Sequence, residues 1–129
     1  MALNNPYQKY RQNSVLSAPP EELTHMLFNG GVRFIRQGIQ HIDSGQTEKA
    51  HQSITRAQDI YVHLQNNLNH DIELSVRLGS LYDFMIRHLT RANIKKDAAM
   101  LNEALTLAEE LRNTWHEAVQ SVRKQVNEG

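Results

Sequence analysis

Residues 47–68 read TEKAHQSITRAQDIYVHLQNNL, and their apolar positions are Ala50, Ile54, Ala57, Tyr61, Leu64 and Leu68. The gaps alternate four and three. That is the seam of an amphipathic helix built to pack along a neighbour at a shallow angle, not the two-residue alternation of a strand. Working outward, the same period recurs on both sides. Upstream, Leu23, Leu27, Gly30, Phe34 and Ile42 form a stripe with Phe28 and Ile35 beside it, which predicts a helix over 20–42 ending at Ser44-Gly45. Downstream, Leu74, Leu78, Leu81, Met85, Leu89 and Ala92 predict a helix over 72–92, with Asn69-His70-Asp71 as the turn before it. Asn93 closes that helix, and Asp97 is placed to cap a last one running to about Lys124 on Leu101, Ala104, Ala108, Leu111, Trp115, Ala118 and Val122.

Four such helices with short connections imply an all-α, antiparallel up-down four-helix bundle spanning one domain, residues 1–129. Pro20 suits a first helical position, and Glu21 and Glu22 complement the positive helix end. Residues 1–16 are polar and unpatterned and read as an N-terminal arm; 20–124 is the bundle and 125–129 a frayed tail.

The composition narrows the function. Fourteen Lys and Arg balance fourteen Asp and Glu, so no basic surface of the size that nucleic acid requires is expected. The absence of cysteine removes disulfides, thiolate metal sites and thiol nucleophiles. No run approaches eighteen apolar residues and the N-terminus has no apolar leader, so the expectation is a cytoplasmic protein without membrane insertion.

The chemistry-bearing patterns are weak. Glu22/His25 and Glu48/His51 have the Glu-x-x-His spacing of di-iron bundles. Each pair lies near the start of its helix, and the two helices run oppositely, so the pairs stand roughly 30 Å apart by helix rise. The inward glutamates needed on the other two helices are missing as well. A histidine phosphotransfer bundle is the alternative function, but no histidine stands in the context that chemistry uses. No catalytic residue, metal or cofactor is therefore assigned. Arg87, Arg91, Lys95 and Lys96 either complement the negative end of their helix or face an acidic partner. Gly30, Gly31 and Gly38 each cost about 1 kcal/mol inside a helix; they mark either close packing or a shallow groove. An apolar excess beyond the seams (including Val32, Val62, Val76, Met100 and Leu107) is partly core flank and partly a candidate partner surface.

The blocks Asn5-Pro6-Tyr7-Gln8-Lys9-Tyr10, Pro20-Glu21-Glu22-Leu23, Leu81-Tyr82-Asp83-Phe84-Met85 with Leu89, Ala92-Asn93 and Asp97, and the late Trp115 resemble, in order and spacing, the flagellar export chaperone family FliS. The departures are Phe84, where tyrosine is common, and Pro19, where a capping Ser or Thr is usual. The resemblance implies a chaperone, not an enzyme. It implies binding of the flagellin C-terminal helical segment, prevention of premature polymerisation, and delivery to the type III flagellar export gate. It also implies that the arm with Tyr7 and Tyr10 packs on the bundle and responds to partners, while the 81–85 block is largely structural. Combined with the apolar excess, it gives Tyr7, Tyr10, Phe28, Gly31, Ile35, Gly38, Ile60, Tyr82 and Ile86 as the expected partner-binding set.

Overall fold

The computed structural model describes residues 20–68 and 73–128, which form four α-helices and no strand. They are α1 (Pro20–Asp43), α2 (Thr47–Asn66), α3 (Glu73–Lys95) and α4 (Ala98–Glu128). α1 packs on α2 and α4, and α3 packs on α2 and α4, while the diagonal pairs share no backbone contact. Contacting pairs run in opposite order along α1 and α2: Gly38 meets Ile54, and Gly30 and Gly31 meet Ile60 and Tyr61. His51–Asn93, Gln58–Thr90 and Gln65–Gly79 do the same between α2 and α3. The arrangement is the expected antiparallel up-down bundle.

The turns explain the helix ends. Gly45 takes φ 73°, Gln46 N–H donates to His41 O at 2.7 Å, and Gly45 N–H donates to Ile42 O at 3.0 Å, closing α1 in a Schellman turn. α3 passes through Asn93, where the sequence predicted its end, and stops two residues later by the same device. Lys96 adopts φ 50°, Asp97 N–H donates to Ala92 O, and the Lys96 ammonium donates to Asn93 O and Oδ1. Asp97 then caps α4 as expected, its Oδ1 accepting from the N–H groups of Ala99 and Met100 at 2.9 and 3.2 Å.

The core is continuous across all four helices: Phe28, Val32 and Ile35 from α1, Ile54, Ala57 and Tyr61 from α2, Tyr82, Met85 and Leu89 from α3, and Leu101, Ala104 and Ala108 from α4. Phe28, Ile35, Ile60 and Tyr82, read as flank or partner surface, are buried members of it. The buried stripe of α1 is therefore turned about one residue from the predicted one. α1 touches two neighbours, and Phe34 sits at the edge of its buried arc, with the guanidinium groups of Arg33 and Arg56 lying 5.0 and 5.7 Å from its ring centre.

Three residues predicted to point inward do not. Leu81 is 38% exposed because α3 and α4 form the least intimate of the four seams. Ala118 and Val122 are exposed because α4 outlasts α3. Its 31 residues span about 46 Å against about 35 Å for the 23 of α3. Met100 and Glu103 lie beside His88. At that register, α4 beyond about residue 116 has passed the start of α3 and, among the described residues, keeps only α1 beside it.

Candidate functional site

The first turns of α1 and the overhanging end of α4 enclose a cleft of about 350 Å³. Its apolar wall is Met26 from α1 with Trp115 and Val119 from α4; its polar rim is Glu22 and His25 opposite His116, Gln120 and Arg123. Helix spacing brings Glu22, His25 and Met26 to one side, since residues three and four apart share a face. Trp115 is half-buried, and its ring lies 6.0 Å from that of Phe28, so the core begins directly beneath it. Met26 is 36% exposed, and Val122, one turn beyond Val119, is 59% exposed.

Two imidazoles close the inner edge. The rings of His25 and His116 lie 4.9 Å apart between α1 and α4. His25 Nδ1 is buried with no hydrogen-bond partner among the described residues. Burial, His116 and Arg112 together hold the His25 pKa below its ordinary value, so His25 favours the neutral form. Arg123 reaches Glu22 at 3.9 Å across the mouth, a weak, solvent-screened pair.

The far seam is held differently. His88 is buried between α3 and α4, and its Nε2 faces Met100 O at 3.1 Å and Glu103 Oε2 at 3.0 Å. Both partners can only accept, so the proton sits on Nε2. The Phe84 ring stacks on this imidazole, with centroids 5.2 Å apart. The sequence did not single out His88, although its i+4 relation to Phe84 was visible.

The predicted partner-binding residues divide as follows. Tyr7 and Tyr10 lie outside the described residues. Phe28, Ile35, Ile60 and Tyr82 are core side chains in the free chain, and Ile86 is half-buried. Gly31 and Gly38 are buried close-packing positions: Gly31 lies against Tyr61, and Gly38 against Ile54 and Leu101. Of the two readings of the glycines, close packing is the one seen in the chain by itself: their missing side chains admit neighbours from α2 and α4. Glu22 and His25 face α4, while His51 hydrogen-bonds Asn93 on α3 near the opposite end of the bundle. Among the described residues no group of three or more potential ligands is gathered that could hold a metal ion. No helix among them is long and apolar enough to cross a membrane.

Comparison with known proteins gives the cleft its context. The family model described as flagellar protein FliS matches residues 3–122. The chain belongs to the FliS family. It is 45% identical to the flagellar secretion chaperone FliS of Bacillus subtilis (strain 168) over 124 residues, covering 96% of this chain and 93% of that one. It is 30% identical to the flagellar secretion chaperone FliS of Vibrio cholerae over 112 residues, covering 84% and 82%. A solved structure titled as a flagellar chaperone from bacteria superposes with a TM-score of 0.73 at 17% identity, covering 89% of this chain and 95% of that one, and so shares the fold. Family members are flagellar secretion chaperones. That function is one of holding a client rather than transforming it, which favours the chaperone reading over the phosphotransfer alternative.

Proposed function

We propose that this chain is a cytoplasmic chaperone for flagellin. It binds the C-terminal helical segment of its client, prevents premature polymerisation and assists delivery to the type III flagellar export gate. The observation that carries the reading is the cleft between α1 and the overhang of α4, with Met26, Trp115 and Val119 on its apolar wall and the exposed Val122 beyond. A helix-in-groove complex needs such a surface: apolar anchors at i, i+3/i+4 and i+7 enter a preformed groove between helices.

The energetics are consistent. A disordered amphipathic tail loses conformational entropy as it folds on a partner. Each leucine-sized anchor fully buried returns about 1.5–3 kcal/mol, so a handful of anchors offsets the ordering cost. The arm carrying Tyr7 and Tyr10 precedes Pro20 in sequence, and α1 begins beside the cleft. We assign the arm a partner-sensitive role at the cleft.

The test is a pull-down with flagellin from the same genome, with and without its C-terminal segment. Retention of the intact client and loss of the truncated one are expected. Equal retention of both would overturn the proposal.

A further inference from the structure

Seven large apolar side chains stand exposed among the described residues, and four belong to α3: Val76, Leu81, Phe84 and Ile94. Among the described residues α3 packs only on α2 and α4. Its inward side carries Tyr82, Met85, Leu89 and Ala92. At 100° per residue, the arc opposite these four is centred on Arg87 and holds Asp83, Arg91 and Ile94, with Phe84 and Lys95 toward one edge and Arg77 two turns before Phe84. All seven are exposed.

Cations outnumber carboxylates on this arc four to one, and its carboxylate, Asp83, is 3.1 Å from Arg87. Arg91 and Lys95 make no ion pair among the described residues. Complementing the helix pole accounts for Lys95, which lies in the last turn. The core does not account for Ile94, which is 78% exposed.

The stripe is also narrow. Asp83 borders it on the side of α2. On the side of α4, Glu103 reaches the seam at His88, and Glu110 follows two turns later on the same face. A flat anionic bilayer laid on α3 would bring these carboxylates against lipid phosphate. A single helix, about 10 Å across, can follow the unpaired cations Arg91 and Lys95 past Asp83.

We propose that the outer face of α3 is a second docking surface, separate from the α1/α4 cleft, for an acidic amphipathic helix of another protein. Its apolar anchors seat on Phe84 and Ile94, and its carboxylates lie over Arg91 and Lys95. Phe84 and Ile94 are ten residues apart, about 15 Å, so three turns of a partner helix span the contact.

The test uses the full chain and a labelled synthetic peptide with leucine at heptad positions and glutamate elsewhere, set against its lysine isomer. Saturable binding of the glutamate peptide is expected. Its affinity should fall about tenfold or more between about 50 and about 300 mM salt. The Arg91→Glu/Lys95→Glu variant should lose about tenfold or more in affinity. Ile94→Asp should weaken binding without lowering the melting temperature, and unlabelled flagellin segment should not displace the peptide. Failure of the glutamate peptide to bind, equal binding of the lysine isomer, or indifference to the charge reversal would each overturn the proposal. So would capture of the chain by phosphatidylserine-containing vesicles, abolished by the same reversal, with no peptide bound: the face would then be a membrane surface.

Discussion

The Tyr61 hydroxyl lies against the bare Cα of Gly31, buried and without a hydrogen-bond partner among the described residues. A Cβ on Gly31 would overlap that oxygen and come within 2.9 Å of the ring carbon Cζ. Two aromatic rings of the core, Tyr61 and Tyr82, meet nearby at 6.4 Å. Burial, with a smaller contribution from Tyr82, raises the Tyr61 pKa, and burial pushes that of Tyr82 up to about 12. Both phenols are thus neutral at any physiological pH. Gly31→Ala is expected to cost about 1–3 kcal/mol through overpacking. Tyr61→Phe removes a polar group that gains nothing from burial, so stability should hold or rise by up to about 1 kcal/mol. In the double variant the two effects should couple, with part of the alanine's cost recovered. Chemical denaturation of the three variants measures this; a loss above about 1 kcal/mol for Tyr61→Phe alone would show that the hydroxyl has a partner.

Two other glycines separate backbone conformation from space. A Cβ on Gly45 meets nothing within 4 Å, yet its φ is 73°. Gly45→Ala should therefore cost about 1–2 kcal/mol from the left-handed conformation alone. Gly79 is an ordinary helical residue of α3 whose added Cβ would touch Leu68 at a normal 3.5 Å. Gly79→Ala should stabilise by about 0.5–1 kcal/mol. Melting curves that place the two changes in the same direction would contradict this account.

What the sequence made legible is what local chemistry determines. The 4-3 spacing in 47–68, Pro20 at a helix start, Gly45 after a helix end and Asp97 at a cap each act within one or two turns, and each is found where expected. The phase of α1, the exposure of Leu81 and the overhang carrying Val122 depend on which neighbours lie alongside and how far they extend. No local pattern holds that information. The candidate site was less legible for the same reason. His25 and His116 belong to the first and last helices, and only closure of the bundle brings them together. The apolar excess was read correctly as an excess, but Phe28, Ile35 and Ile60 serve the core, because α1 and α2 are buried over a wide arc. Trp115, read as a seam residue, is both seam and cleft wall.

The His25–His116 contact predicts a pH dependence. The folded state holds the His25 pKa below 6.5, first by burial and then through His116 and Arg112. In the unfolded chain the group titrates near its ordinary value, so below about pH 6.5 the unfolded state binds more protons. The contribution of this group is therefore complete above that pH and declines as pH falls toward the lowered folded value. The urea midpoint should drop between about pH 7.5 and about pH 5.5, and His25→Gln should flatten that slope. Identical slopes for both proteins would remove His25 from the explanation.

Trp115 reports on the cleft directly, because it is the chain's single tryptophan. Its ring is half-buried, resting on Phe28 on one side and lining the open cleft on the other. A client helix seated against Met26 and Val119 would exclude water from that open side. Addition of the flagellin C-terminal segment should therefore shift Trp115 emission to the blue and reduce quenching by acrylamide. The acidic peptide proposed for α3 should leave both unchanged, since α3 lies diagonally across from α1. Trp115→Ala should cost about 2–3 kcal/mol, below the range for a fully enclosed tryptophan, because the side chain is half-buried. The same change should weaken client binding by more than it alters helicity. An emission spectrum indifferent to a client that demonstrably binds would locate the client elsewhere on the bundle.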